Sequence, residues 1–241
     1  MGSPPRLIAF DTSTERMAVA LQSAAGAALL DEAGGAAASA TLLPRIAGLL
    51  ADAQLAHAEL DFIAFGRGPG AFTGLRTACS VAQGLAFGTG RPVLPIDSLL
   101  IVAEDARVQA GLPVPFDVGV AMDARMDEIY AAAYRFNGTA WQVLAEPALL
   151  ALPALAGAWQ GLALHAVAGS AWSAFGERLA APAPRVFAHE QGRAAALLRL
   201  ALAAAAAGEG VDAAQALPLY LRDKVALTTR EREAARAAAL P

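Results

Sequence analysis

Three turns in this sequence carry residues that could do phosphate or metal chemistry. The first is Asp11-Thr12-Ser13-Thr14, a polar step between the apolar runs 6–10 (RLIAF) and 17–22 (MAVALQ). A carboxylate there suits a hard cation such as Mg²⁺, and the N–H groups of a tight turn suit a phosphate. An ordinary Asx or ST turn uses the same residues. The second is Gly66-Arg67-Gly68-Pro69-Gly70-Ala71-Phe72-Thr73-Gly74-Leu75-Arg76, dense in glycine, lying between a buried-strand signal and a helical one. Its backbone N–H groups and the following helix N-terminus form a natural anion site. It is not a GxxxxGK[ST] loop, because Leu75 stands where that motif needs lysine. The alternative is a conformationally demanding turn that positions the helix. The third is Met122-Asp123-Ala124-Arg125-Met126-Asp127-Glu128, where Arg125 takes a slot that a phosphate turn gives to glycine. An arginine side chain there fills phosphate space or pairs with neighbouring acids. Together Asp11, Ser13, Gly68, Gly70, Thr73, Gly74, Asp123 and Arg125 read as a vestigial phosphate site.

The surrounding pattern shows what must position these turns. Residues 6–10, 17–22 and 27–32 predict three consecutive strands, a β-meander. Residues 41–53 predict a helix with Pro44 in its first turn. A strand at 61–66, a helix at about 75–88, a strand at 92–96 and a helix from the Asp97/Ser98 cap to about 110 follow. The order then starts again. Residues 117–122, 129–135 and 140–145 predict three more strands, with a strand at 163–168, a helix at about 192–207, an extended piece at 217–222 and a charged tail at 223–241. Both halves begin strand, Asp, turn, strand: IAFDTSTERMAVAL and VAMDARMDEIYAAAY. This predicts an α/β protein of two related halves with mixed sheets, divided as 1–97 and 98–241.

Composition narrows the function classes. The 241 residues are 56% hydrophobic and 17% charged, with mean hydropathy +0.45, which excludes a disordered chain. Aromatics are 6%, so the apolar excess is alanine suited to close helix packing. The net charge of −4 and a lone lysine, Lys224, argue against free-standing nucleic-acid binding. One cysteine, Cys79, and three scattered histidines, His57, His165 and His189, give no metal-ligand spacing. No GxSxG elbow or SxxK pair is present. The first residues lack a signal-peptide pattern and no run is long enough to span a bilayer, so no membrane association is expected and the location is expected to be cytoplasmic. Two predicted helices have apolar surface beyond one stripe: Leu42, Leu43, Ile46, Leu49 and Leu50 on the first, and Ala78, Ala82 and Leu85 on the second. These residues are the candidate partner interface; the alternative is that the two helices cover one another.

The motifs GRGPGAFTGLR, AMDARMDEIYAAAY, AGSAW and PLYLRDKVA, with IAFDTSTERMAVAL, run through the whole chain and resemble the TsaB (YeaZ) family of tRNA threonylcarbamoyladenosine biosynthesis subunits, paralogues of TsaD. The resemblance implies the actin-like ATPase (ASKHA) fold. It implies a non-catalytic scaffold that supports TsaD, the subunit that transfers the threonylcarbamoyl group to position 37 of tRNAs reading codons that start with A. It implies a TsaD homologue and the ATPase TsaE as partners, a homodimer when alone, and tRNA contact only through the complex. No cofactor is expected in this chain; ATP and metal are expected on the partner subunits. The sequence departs from the family pattern at Ala38, Ala71 and Thr77-Ala78. Two other readings stay open, an active actin-like phosphotransferase or ATPase and a self-assembling homodimer with its own function; a glycoprotease-like peptidase is discounted, because no protease machinery is legible in the sequence.

Overall fold

The computed structural model describes residues 4–179 and 181–222. The elements in chain order are β1 (Leu7–Asp11), β2 (Arg16–Ser23), β3 (Gly26–Ala33), α1 (Ala38–Asp52), β4 (Phe62–Gly68), α2 (Phe72–Thr89), β5 (Val93–Asp97), α3 (Ser98–Ala110), β6 (Phe116–Asp123), β7 (Glu128–Phe136), β8 (Trp141–Ala151), α4 (Leu155–Ala158), β9 (Ala166–Ala168), α5 (Ala171–Phe175), β10 (Val186–Phe187) and α6 (Arg193–Ala206). The strands form two mixed five-stranded sheets, ordered β3-β2-β1-β4-β5 and β8-β7-β6-β9-β10. Each is an antiparallel meander followed by parallel strands, with identical connectivity. The duplication expected from the sequence is therefore present strand by strand. Two related α/β halves of this topology constitute the actin-like ATPase fold.

Alternation along the strands assigns the faces. Ile8, Phe10, Met17, Val19, Leu21, Ile63 and Phe65 point to one side of the first sheet and are covered by α1 and α2. Leu7, Ala9, Ala18, Ala20 and Ala64 point to the other side and are covered by α6. That second face is mostly alanine, so the alanine-rich α6 packs close to the strands. With the division at 97/98, α3 opens the second half and packs on that half's sheet, whereas α6, which ends it, crosses to the first. α3 follows β5 but buries Leu99, Val102 and Ala106 against β6, β7 and β9. α6 follows β10 but covers β1, β2 and β4. The far side of the second sheet is closed by Leu152, Leu155, Trp159 and Trp172.

Several boundaries differ from expectation. α1 begins at Ala38, led in by an alanine-rich 3₁₀ turn, so Pro44 lies inside the helix and not in its first turn. The missing N–H leaves one carbonyl of the preceding turn without its helical partner, and Pro44 lies on the exposed side where water can serve that carbonyl. α2 begins earlier, at Phe72, because the Ala71 N–H is held by the Ser13 carbonyl at 2.8 Å and sets the helix entry. β8 continues to Ala151 as an edge strand. Residues 217–222 join no sheet; they cross the molecule as a strap, with the Leu219 N–H donating to the Arg67 carbonyl at 2.7 Å. The charged tail predicted at 223–241 lies outside the described residues.

Candidate functional site

The two strand–Asp–turn–strand hairpins face each other across a cleft of about 630 Å³ between the halves. Asp11 ends β1 and Asp123 ends β6. Each carboxylate accepts the backbone N–H two residues on, Ser13 at 3.0 Å and Arg125 at 2.7 Å. The duplicated fold thus keeps a duplicated Asx turn.

The environments of these aspartates are opposite. Asp11 is fully buried and its oxygens are consumed by the protein. Oδ1 accepts from the Ser13 hydroxyl at 2.8 Å and from Arg193 Nε at 3.1 Å, and Oδ2 accepts from the Ser98 hydroxyl at 2.7 Å. Arg193 is buried with Asp11, reaches the Ser13 hydroxyl at 3.0 Å through Nη2 and pairs with Glu190 through Nη1. Burial works against the Arg193 charge, but the carboxylates of Asp11 and Glu190 outweigh it and keep the guanidinium protonated well beyond its ordinary range. Burial pushes the Glu190 carboxyl up despite that pairing. In the second hairpin Asp123 faces the cleft and pairs at 3.5 Å with Arg125, which also reaches Glu15 of the first hairpin at 3.1 Å. Arg125, Met126 and Asp127 all have left-handed φ, +64°, +59° and +58°. Arg125 therefore does occupy a glycine-like slot, at a backbone cost of about 1–2 kcal/mol.

The glycines of the second motif are explained by packing. A Cβ on Gly66 would lie 1.6 Å from Asp11 Oδ2, on Gly70 2.4 Å from the Ser13 carbonyl oxygen, and on Gly74 1.8 Å from the Thr12 carbonyl oxygen. The Thr12 hydroxyl donates to the Gly74 carbonyl at 2.7 Å, and the Gly68 N–H donates to the Ser98 hydroxyl at 3.0 Å. The loop is thus pressed onto the Asp11 hairpin, and the N–H groups of Gly68 and Ala71 are already occupied.

Of the eight vestigial phosphate-site residues, Ser13, Gly70, Asp123 and Arg125 line the cleft, while Asp11 is buried beneath it. Gly68 packs on Leu75, Gly74 packs on the hairpin, and Thr73 sits exposed on the outer side of α2. The strap closes one end: Tyr220 lies 5.4 Å from Phe72, its hydroxyl accepts from Arg76 Nε at 3.2 Å, and Arg222 donates to the Ala124 carbonyl at 2.8 Å. Sequence reading missed Arg193, Glu190 and Ser98. The available signal was an arginine at the first position of an Ala/Leu helix, where the helix dipole disfavours a cation.

The eight interface candidates divide by burial. Leu42, Ile46, Leu50, Ala78 and Ala82 are buried in the chain's own core against the first sheet, so they are not available to a partner. The apolar excess on these helices is spent mainly on the sheet and on helix–helix contact. Leu43 is 51% exposed, and Leu49 and Leu85 are half-buried. Among the described residues no group of three or more His, Cys, Asp or Glu is placed to hold a metal, and no helix is long and apolar enough to cross a membrane.

The family model for TsaD, tRNA N6-adenosine threonylcarbamoyltransferase, matches residues 32–226. YeaZ from Pseudomonas aeruginosa is 41% identical and superposes with a TM-score of 0.80 over 90% of this chain and 100% of that one. The chain belongs to the TsaB (YeaZ) family. The tRNA threonylcarbamoyladenosine biosynthesis protein TsaB of Haemophilus influenzae is 42% identical over 124 residues, 52% of this chain and 51% of that relative. The match thus spans about half the length of that relative. The TsaB protein of Escherichia coli is 29% identical over 232 residues, 92% of this chain and 96% of its own. The match to a TsaD model fits the paralogy implied by the sequence motifs.

Proposed function

We propose that this chain is the non-catalytic scaffold subunit in the formation of N6-threonylcarbamoyladenosine in tRNA, and that it supports a TsaD homologue which carries the metal and performs the transfer. Family membership supports the pathway. The observation that carries the non-catalytic reading is the state of Asp11: a carboxylate that could hold a metal–phosphate group is instead covered by Arg193, Ser13 and Ser98 and sealed from the cleft. Both carboxylate oxygens already accept protein hydrogen bonds and neither is exposed, and the glycine loop presents packed backbone in place of a phosphate cradle.

The surface best suited to the TsaD homologue, or to a second copy of this chain, is the outer face of α1 and α2. Leu43 and Phe87 are 51% and 69% exposed there. Among the described residues a Cβ on Gly48, Gly84 or Gly88 would meet nothing within 4 Å, so packing against those residues gives these helical glycines no reason. Glycine costs an exposed helix about 1 kcal/mol relative to alanine; close approach of another helix is a reason to keep it. The TsaE homologue and tRNA join through the complex in a cytoplasmic setting, since the net charge of −4 gives the lone chain little phosphate attraction.

The test is nucleoside analysis of tRNA after depletion of the chain, with the purified chain assayed in parallel for ATP hydrolysis. Loss of the modified nucleoside and a silent purified chain are expected. Unchanged nucleoside levels refute the pathway role. Steady ATP turnover that disappears in Asp11→Ala refutes the non-catalytic role and favours the phosphotransferase reading.

A further inference from the structure

The buried charge cluster joins elements that belong to different sheets. Asp11 and Gly68 sit at the ends of β1 and β4, in the first sheet. Ser98 opens α3, which covers the second sheet, and its hydroxyl both donates to Asp11 and accepts from the Gly68 N–H. Glu190 lies on the segment leaving β10, in the second sheet, and pairs with Arg193 at the start of α6. The same segment is clamped by Asp105 of α3, which accepts from the Gln191 and Gly192 N–H groups at 3.0 and 2.9 Å. It is held again by Asp31 of β3, which accepts from the Ala194 N–H at 3.1 Å. One guanidinium therefore sits where the first hairpin, the start of α3 and the β10–α6 segment meet, at the floor of the cleft. The links across the cleft mouth are of another kind: the Arg125–Glu15 pair is 73% and 79% exposed and open to screening by salt.

We propose that Arg193 is an internal latch: as a built-in cation it ties the two halves together at the floor of the cleft, so that the cleft keeps one closure without any bound ligand. The chemistry suits the task. The planar guanidinium divides its donors between Asp11 and Ser13 on one side and Glu190 on the other. In this buried setting the attraction is little weakened by salt. Loss of the guanidinium leaves Asp11 and Glu190 as buried acids without their shared counter-charge, on elements rooted in different sheets, and opening returns them to water.

The experiment is a spin-label distance measurement across the cleft. Labels are placed at Glu15→Cys on the first hairpin and Ser173→Cys on α5, in a full-length Cys79→Ala chain. The parent is expected to give one narrow distance distribution that MgATP and added salt leave unmoved. Arg193→Met is expected to broaden it and shift it to longer distance. Arg193→Lys, which keeps the charge but not the fork, is expected to fall between. A parent whose distance changes on addition of MgATP overturns the proposal. An Arg193→Met chain that is folded by circular dichroism and shows the parental distribution also overturns it. Should that chain fail to fold, Arg193→Lys and Ser98→Ala carry the same test, and parental distributions in both overturn it.

Discussion

Charge placed on the outer face of α1 and α2 separates a partner surface from a merely solvated one. In Leu43→Glu and Phe87→Glu the free chain loses little, because the two residues are 51% and 69% exposed and surface changes of this kind stay within about 0.5 kcal/mol. In the complex the cost is larger. Full burial of a leucine or phenylalanine side chain is worth about 1.5–3 kcal/mol, so covering the exposed part of Leu43 contributes about 1 kcal/mol, and that of Phe87 about 1.5 kcal/mol. A carboxylate left in the covered surface adds a desolvation cost of about 2 kcal/mol or more. Each variant should therefore lose about 3 kcal/mol of association, a weakening on the order of 100-fold, since 1.4 kcal/mol is about tenfold. Calorimetric titration with the TsaD homologue reads the affinity, and circular dichroism reads the fold. The contrast is Leu50→Glu, 2% exposed in the core, which should unfold the chain before any partner is tested. Folded Leu43→Glu and Phe87→Glu chains that bind the TsaD homologue with parental affinity refute this face as the interface.

Three further expectations concern the chain alone. Gly74→Ala sets a Cβ against the backbone oxygen of Thr12, an atom that cannot swing away, so denaturant unfolding should show a loss of several kcal/mol, about 3; a change below about 1 kcal/mol contradicts the packing account of the glycine loop. Arg125→Gly removes left-handed strain and an exposed ion pair while adding unfolded-chain entropy, so stability should stay level or rise by about 1 kcal/mol, and a clear fall in the unfolding midpoint denies the glycine-slot reading. Burial pushes the Glu104 carboxyl up, but hydrogen bonds from Arg107 and Arg199 outweigh it and hold the group below the ordinary carboxylate range. A depressed folded value means the stabilisation is present above the unfolded pKa and is lost as pH falls through the folded one. Glu104→Gln should therefore destabilise at neutral pH and flatten the acid limb of the stability curve; parallel curves for both chains contradict this.

The strands are legible as short apolar runs bounded by turns, continuous because both faces of the first sheet are buried, Ile8 and Phe10 on one and Leu7 and Ala9 on the other. The duplication was legible because Asp11 and Asp123 stand at the same place in two meanders. What the pattern did not carry is which sheet each helix covers. The apolar stripe of α6 is equally compatible with its own half, and its crossing to the first sheet becomes visible only in three dimensions. The same limit applies to the candidate interface residues, five of which are buried in the chain's own core. Leu42, Ile46 and Leu50 are spaced as one stripe at i, i+4 and i+8, the stripe a helix turns to its sheet, whereas Leu43 alone of the strongly apolar α1 residues faces out. Counting apolar residues overstated the free surface; sorting them by helical angle separates the two groups.

The two Asx turns give one geometry two different counter-charges. In the first half the counter-charge is Arg193, which is 182 residues away in sequence and buried, so the carboxylate is removed from solvent and from any ligand. In the second half the counter-charge is Arg125, two residues away and exposed, so Asp123 still faces the cleft. A local motif search finds the second arrangement and misses the first, because only the second lies within one turn. The physical consequences also differ. The exposed Arg125 pair weakens as ionic strength rises, whereas the buried Arg193 pair is screened much less. The cleft therefore has one wall whose electrostatics are fixed by the fold and one whose charge remains open to whatever approaches it.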